Sequence, residues 1–402
     1  MNRYAIINTS VVGSTGKLAV GLHGFLLKKG KDCSVFYSRG PHIEMEKVYR
    51  FGTKLGVFVH VFLARITGLQ GFFSYYPTKR LIKRLRAKGV THIVAGNLHG
   101  YYLNEAMFLD YIASDNIKLV YLMFDEYPFL GKCAFTKGCD KFKNECKNCK
   151  RKKEYPKSLF FNTAHKIFET KKKCYDRIRN VIFIAPEHAI TLSQASPLLK
   201  GRQTLIADEG VDSALFFPKD VTDLKHSLGI GPDKFVCVCV ALYKDEHHAK
   251  GGYYFIQLAN LLKDNPKYVF VHVGYLLKER SNLPHNYIAI SYVNNQEELA
   301  YYYSLADLFV LPATAENMPT TCLEALSCGS PLLCFDYGGM RKIASSEVAS
   351  FVEIKNVEAM KKVVLESAKK NEMMINKCRN YAVNRYDNQI YFAKILDALD
   401  SL

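Results

Sequence analysis

No stretch of this 402-residue sequence holds the roughly 18–20 consecutive apolar residues that span a bilayer. The greasiest, Leu55 to Ile66, is broken by His60 and Arg65, so no transmembrane helix is expected. The N-terminus, Met1-Asn2-Arg3 followed by Tyr4-Ala5-Ile6-Ile7, reads as a short strand. It lacks the apolar h-region and small-residue cleavage site of a secretory signal, which points to the cytosol. For a cytosolic chain of this size, 12 cysteines argue against a disulfide framework and for buried thiols plus at most one metal cluster. Short internal repeats are missing as well.

Acidic residues are scarce in one half only. Residues 51–100 carry eight basic residues and no acid; residues 1–200 carry 34 against 14, or +20, and residues 201–402 carry 21 against 24, or −3. A one-sided field of this kind draws nucleic acid, an anionic membrane surface or a polyanionic substrate. A zinc-stabilised RNA-binding protein fits the charge and the Lys-rich cysteine segment, but no interleaved aromatic motif of an RNA-binding module accompanies them. Nucleic acid is therefore not an expected partner.

What is present is ordinary globular material, 49% apolar, 13% aromatic and 23% charged, enough for two domains. Short apolar runs alternate with longer stretches of 3.6 periodicity, the pattern of parallel sheets covered by helices. Strands are predicted at Tyr4–Asn8, Asp32–Tyr37, Thr91–Ala95, Lys118–Met123 and Val181–Ile184. The pattern then restarts at Phe235–Ala241, Tyr268–Val273, Tyr287–Ser291, Asp307–Leu311 and Pro331–Phe335. The expected architecture is α/β, with two Rossmann-like doubly wound parallel-sheet domains. The first covers residues 1–207 and the second 208–384, with a C-terminal helix at 385–402 packing back on the first. The joint falls near Leu205–Pro218, where Asp208, Gly210, Asp212 and Pro218 are turn formers.

Residues 126–158, rich in Lys, Cys, Gly and Asn, break the rhythm and are too long for an ordinary strand-to-helix loop. Cys133, Cys139, Cys146 and Cys149 fall within 17 residues, with one C-x2-C pair. Thiolates so spaced suit a structural zinc that would stabilise a loop without its own core; buried free thiols are the alternative. The apolar surroundings of the remaining cysteines suggest packing.

Two segments point to anion chemistry. Gly13-Ser14-Thr15-Gly16 leads from the first strand straight into a helix, whose unpaired amides and positive end suit phosphate; a tight strand-to-helix turn needs glycine anyway. In the second domain Glu316-Asn317-Met318-Pro319-Thr320-Thr321-Cys322-Leu323-Glu324 sets two carboxylates eight residues apart, from just past a strand's C-terminal end into the next helix. Open α/β sheets bind ligands at that edge.

Together with the continuation to Gly338-Gly339, this resembles the retaining nucleotide-sugar glycosyltransferases of the GT-B fold, two Rossmann-like domains facing across a cleft, in family 4 (group 1) with its E-x7-E signature. The resemblance runs over nearly the whole chain. It looks nearest to the bacterial colanic acid and capsular polysaccharide branch, on Gly13-Ser14-Thr15-Gly16, Ser38-Arg39-Gly40, Asn97-Leu98-His99-Gly100-Tyr101-Tyr102, the cysteine insertion with Tyr155-Pro156-Lys157-Ser158, and Pro312 through Gly339.

The resemblance implies that Glu324 holds the ribose hydroxyls of a nucleotide and that Glu316 sits by the sugar near its anomeric carbon. It implies further that Asn317, Met318 and the amides of Pro319 to Thr321 face the sugar and diphosphate, with Gly13 and Gly16 beside the donor. Lys250, in Lys250-Gly251-Gly252, matches the basic residue that neutralises the leaving diphosphate; without the match it reads as a surface lysine at a helix start. His99 and Asp125 are the polar, potentially catalytic candidates in the N-terminal domain, a structural histidine being the alternative for His99. No D-x-D pair ends a strand, so no catalytic metal is required.

Four places depart from the family pattern: Ala241-Leu242-Tyr243 for an Arg, Phe124-Asp125 for His-Asp, Glu209-Gly210-Val211-Asp212 for Asn-Gly-Ile/Val-Asp, and Ala95-Gly96 for paired histidines. The function implied is transfer of a sugar from a UDP- or GDP-linked donor to a lipid-linked glycan during surface-polysaccharide assembly, at the cytoplasmic face of the membrane. A GT-B sugar-nucleotide epimerase is the nearest enzymatic alternative. The helix predicted at Pro77–Lys88, with Leu81, Ile82 and Leu85 docked inward and Lys79, Arg80, Lys83, Arg84 and Arg86 around the rest, predicts a peripheral electrostatic contact with an anionic membrane and not deep insertion.

Overall fold

A computed structural model describes residues 2–243, 249–276, 282–316, 318–337 and 339–402. The chain divides into two units, residues 1–208 with 391–402, and residues 209–390.

The first unit is built on a seven-stranded, all-parallel sheet. Its strands are β1 (Arg3–Ile7), β2 (Asp32–Tyr37), β3 (Val48–Arg50), β4 (His92–Gly96), β5 (Lys118–Leu122), β6 (Val181–Ala185) and β7 (Thr204–Ile206), in the order β3-β2-β1-β4-β5-β6-β7. Parallel strands covered on both faces read as continuous apolar runs, and β4 and β6 are buried along their whole length. Successive side chains still go to opposite faces: Ala5 and Ile7 join one core cluster, Tyr4 and Ile6 the other. The helix Asn388–Ser401 supplies Tyr391, Phe392, Ile395 and Leu399 to the second of these clusters. Phe392 lies against Phe25 at 5.8 Å between ring centroids.

The second unit repeats the plan with six strands: β8 (Phe235–Tyr243), β9 (Tyr268–Tyr275), β10 (Tyr287–Ile290), β11 (Leu308–Leu311), β12 (Leu332–Phe335) and β13 (Ala349–Val352). They are all parallel, in the order β10-β9-β8-β11-β12-β13. One core cluster holds both faces together.

Three strands are absent from the sequence prediction, β3, β7 and β13, and each is an outermost or edge strand of three or four residues. An edge strand with mixed burial carries neither a clean alternation nor an apolar run. Residues 126–158 also differ from expectation, because the segment is not without a core. Phe142 and Cys146 are buried in the first unit's main cluster, Phe142 lies against Phe129 at 5.7 Å, and Cys133 and Cys149 pack alongside. Buried ammonium groups tie the rest: Lys132 Nζ donates to Lys152 O (2.9 Å), and Lys171 Nζ to Tyr127 O (2.7 Å) and Leu130 O (3.0 Å).

Candidate active site

In each sheet the connections leave in opposite directions from two adjacent central strands, β1 and β4 in the first unit and β8 and β11 in the second. Loops at the C-terminal ends of such strands form the crevice where open α/β sheets take ligands.

In the second unit, β8 is followed by Lys250-Gly251-Gly252 and the helix Gly252–Leu261, and β11 by residues 312–319 and the helix Thr320–Ser327. The two loops hold each other. Thr314 N donates to Ala249 O at 2.8 Å. Gly251 has φ +76°, and a Cβ there would fall 1.8 Å from Pro312 O; one on Gly252 would fall 2.8 Å from both His272 and Tyr243. Only glycines permit so close an approach, and the approach delivers Lys250 to Glu316, whose Oε1 accepts from the ammonium. The carboxylate is largely covered and the lysine more open. Burial works to lower the Lys250 pKa, but the Glu316 carboxylate outweighs it, with Cys322 and Glu209 adding to the effect, so the ammonium is held above its ordinary value.

Asn317 lies outside the described residues. Met318 and Pro319 are buried. Pro319 occupies the cap position of the next helix and gives it no side-chain acceptor, so the amides of Thr320 and Thr321 stand at an uncapped positive end suited to an anion. Glu324, one turn on, accepts from the Tyr303 hydroxyl. Tyr303 is fully buried on the helix Gln296–Leu305, and burial together with the Glu324 charge pushes its phenol well above the ordinary range.

The first unit's corresponding edge is aromatic. Gly13 and Gly16 sit here, at the start of the helix Gly13–Lys28. Gly13 has φ +76°, while Gly16 presses on the turn before it, since a Cβ would lie 2.5 Å from the Val11 carbonyl carbon. Thr9 Oγ1 donates to Asn97 O (2.9 Å) and His99 O (3.2 Å), and Asn97 Nδ2 to Thr15 Oγ1 (3.0 Å), lashing the loop after β1 to the loop after β4. His99 Nε2 lies 3.1 Å from Asp125 Oδ2, whose other oxygen accepts from Tyr127 N at 3.0 Å. The imidazole stacks on Tyr127 at 4.7 Å and meets Tyr155 edge-on at 6.0 Å. Two residues singled out separately in the sequence thus form one buried pair.

Two of the departures are also one feature. A Cβ on Gly96 would lie 2.5 Å from the Phe124 ring, so the missing side chain at 96 makes room for the phenyl group at 124. Glu209 likewise does more than replace an asparagine, because its charge reaches Lys250.

Sequence reasoning does not single out Tyr303 or Tyr127, and it marks Glu209 only as a departure from the family pattern. Tyr303 is one of three consecutive tyrosines, and only the helix phase, invisible in composition, selects which of them is buried against Glu324. Tyr155 was quoted within a motif but given no role.

Among the described residues no group of three or more His, Cys, Asp or Glu side chains is arranged to hold a metal ion. Cys133, Cys139, Cys146 and Cys149 are free thiols. Burial pushes Cys133 and Cys146 up to about 11.

Two α/β units with these strand orders are those of the GT-B fold. Residues 220–385 match the model of the glycosyl transferases group 1, the family this part of the chain is similar to. WcaC of Escherichia coli (strain K12), a glycosyl transferase named for colanic acid biosynthesis, is 20% identical over 86% of this chain and 88% of its own. TuaC of Bacillus subtilis (strain 168), named for teichuronic acid biosynthesis, is 27% identical over 43% of each chain. The UDP-Gal:alpha-D-GlcNAc-diphosphoundecaprenol alpha-1,3-galactosyltransferase of Escherichia coli is 27% identical over 45% of this chain and 50% of its own. The chain thus aligns with half or less of the length of the last two. Among solved structures, HepE of Anabaena in complex with UDP and glucose covers the whole of both chains with a TM-score of 0.66 at 16% identity. Neither the epimerase nor the RNA-binding alternative finds support in these comparisons.

Proposed function

We propose that this glycosyltransferase moves a sugar, with retention at the anomeric carbon, from a UDP- or GDP-linked donor to a lipid-linked glycan in surface-polysaccharide assembly, at the cytoplasmic face of the membrane. The observation that carries the donor half is the Lys250–Glu316 pair at the switch point of the second sheet, beside a helix start without a side-chain cap and a carboxylate, Glu324, held by Tyr303.

In this reading the ribose takes Glu324 and the diphosphate takes the amides of Thr320 and Thr321. Lys250 is a point charge paired with Glu316 until the donor arrives; its ammonium then neutralises the charge that builds on the departing phosphate while the sugar gains oxocarbenium character. Glu316, relieved of the lysine, faces the sugar hydroxyls. On the first unit's edge the His99–Asp125 pair and the aromatic wall of Tyr127 and Tyr155 receive the acceptor, since sugar rings stack on aromatic faces while their hydroxyls take buried polar partners. A diphosphoundecaprenol acceptor in one relative's name supports the lipid-linked class.

The test is mass spectrometry and anomeric NMR of products from a panel of UDP- and GDP-sugars offered with polyprenyl-diphosphate saccharides. Transfer with retained configuration is expected. Inverted products, or no protection against heat by any UDP or GDP compound, would overturn the reading.

A further inference from the structure

The helix Lys54–Thr67 is capped by Thr53, whose hydroxyl accepts from Gly56 N at 3.0 Å, and stopped by Gly68 in the left-handed conformation. Between these well-formed ends it buries only His60 and Ala64 completely. Its apolar stripe, Leu55, Phe58, Val59 and Phe62 at helical spacing, faces solvent, with Leu55 72%, Phe58 67% and Phe62 56% exposed. A folded domain ordinarily turns such a stripe inward.

A second exposed apolar segment adjoins the first. Leu159-Phe160-Phe161 is open to solvent, with Phe160 65% exposed, and Leu159 N donates to Arg65 O at 2.7 Å. The tripeptide is therefore tied to the last turn of the helix.

The charges carried by this helix and the next one are of one sign. Lys54 and Arg65 sit at its two ends, and no acid occurs from residue 51 to 100. His60 Nδ1 is 2.7 Å from Ser74 Oγ, which links the helix to the start of the next one, Tyr75–Ala87. That second helix turns Leu81, Ile82 and Leu85 inward and lines a groove of about 670 Å³ with Tyr75, Tyr76, Lys79, Arg80, Lys83 and Arg86; the one acid lining it, Asp110, is paired with Arg177. An apolar stripe, aromatic hydroxyls at its border and a basic bank beside it match the acyl, interfacial and phosphate layers of an anionic bilayer in turn.

We propose that the Lys54–Thr67 helix and Leu159–Phe161 form an apolar wedge that enters the acyl boundary of an anionic phospholipid bilayer, while the basic groove alongside takes headgroup phosphate. The proposal rests on the peripheral membrane reading above and changes its mode, from surface attraction by the basic helix alone to insertion by the helix before it.

The sequence has no tryptophan, so Phe58→Trp gives a single fluorescent reporter on the wedge. With vesicles of phosphatidylglycerol and phosphatidylcholine, the emission is expected to shift to the blue and to be quenched by lipids brominated along the acyl chain. The triple variant Leu55→Ser, Phe58→Ser, Phe62→Ser changes only exposed side chains; it should keep its circular dichroism and lose at least tenfold in vesicle affinity at low and high salt alike. Lys79→Gln, Arg80→Gln, Lys83→Gln should lose the preference for anionic over neutral vesicles. An unshifted, unquenched indole, or unchanged affinity of the triple serine variant, overturns the wedge. So does concentration-dependent dimerisation in sedimentation that the serine variant abolishes, since the face would then be covered by a second copy. Transfer to a short-prenyl, water-soluble acceptor separates the two readings. The serine variant should retain it, and its absence in the unmodified chain counts against the proposed activity and not against the wedge.

Discussion

The two sheets share one topology at their switch points and carry opposite chemistries there. At the second unit's edge the polar groups are charged and paired across loops: Lys250 with Glu316, and Glu324 with a buried phenol. At the first unit's edge one imidazole–carboxylate pair is enclosed by tyrosine rings. The difference teaches where charge is expected to develop. An ion pair within reach of uncapped helix amides can exchange partners when a diphosphate enters. A stacked His–Asp pair holds its geometry against aromatic walls and suits a neutral, hydroxyl-bearing ligand.

The sharpest way to break this contrast is to remove charge on each side. Lys250→Ala is expected to lower kcat by roughly 10²–10³-fold, the usual loss when one preorganised charge-stabilising group is deleted, and Glu316→Ala to lower turnover more than donor affinity. His99→Ala and Asp125→Asn should leave the thermal shift given by UDP or GDP untouched while raising the acceptor KM. Steady-state kinetics with each substrate varied in turn separates the cases. An acceptor effect from Lys250→Ala or a nucleotide effect from His99→Ala would dissolve the division of labour.

Acid should loosen both units through histidines that neither edge uses. His60, bonded to Ser74 in the first unit, and His272, held between Tyr287 OH (2.5 Å) and Ala241 O (2.9 Å) in the second, are both pushed down to about 4 by burial. The unfolded chain protonates these groups near 6.5 and the folded chain only near 4, so the unfolded state binds more protons throughout that window. Stability is therefore level above pH 6.5 and falls as pH drops towards 4, by up to roughly 3 kcal/mol for each histidine. Urea midpoints measured from pH 8 to 4 check this. His272→Gln should flatten the slope in the second unit alone, read by hydrogen exchange in β8 and β9.

Nucleotide binding tests a smaller difference within the second edge. Glu324→Ala should weaken UDP or GDP by about 10- to 100-fold, the size of a lost charge-assisted hydrogen bond. Tyr303→Phe removes only the group that orients the carboxylate and should cost a few-fold. Titration calorimetry ranks the two. Equal losses would mean that Tyr303 touches the nucleotide directly.

Legibility in the sequence followed the same line between the units. The order and spacing of Lys250, Glu316 and Glu324 were readable because each lies on one strand–loop–helix passage whose register the flanking glycines and proline mark. The nine interior strands were readable because parallel strands covered on both faces are apolar throughout, and the edge strand β10 because Tyr287-Ile288-Ala289-Ile290 is itself a short apolar run. What escaped depended on phase or on distance. Tyr303 could not be told from its two tyrosine neighbours, and the reach of Glu209 to Lys250 spans 41 positions. The insertion was misjudged because Phe142 and Cys146 are single apolar residues in polar company. The Lys54–Thr67 stretch was read for its failure to cross a membrane, and periodicity alone does not say which way its stripe faces.

The exchange at the first edge, Gly96 with Phe124, gives the smallest and most specific test. The phenyl ring occupies the space a side chain at 96 would need, so the two positions should be coupled and not independently tolerant. Gly96→Ala alone should destabilise the first unit by about 1–3 kcal/mol through overpacking. Phe124→Ala alone should cost a similar amount, by withdrawing the ring from its place above the end of β4. Combining the two relieves the clash, so the double variant should be more stable than the sum of the singles, with an interaction of about 1 kcal/mol or more. Chemical denaturation of the four chains of the cycle measures it. If the two losses simply add, Gly96 is set by the backbone and the aromatic character of this edge has another origin; if they couple, the first unit's departure from its family is a single repacking that left the His99–Asp125 pair in place.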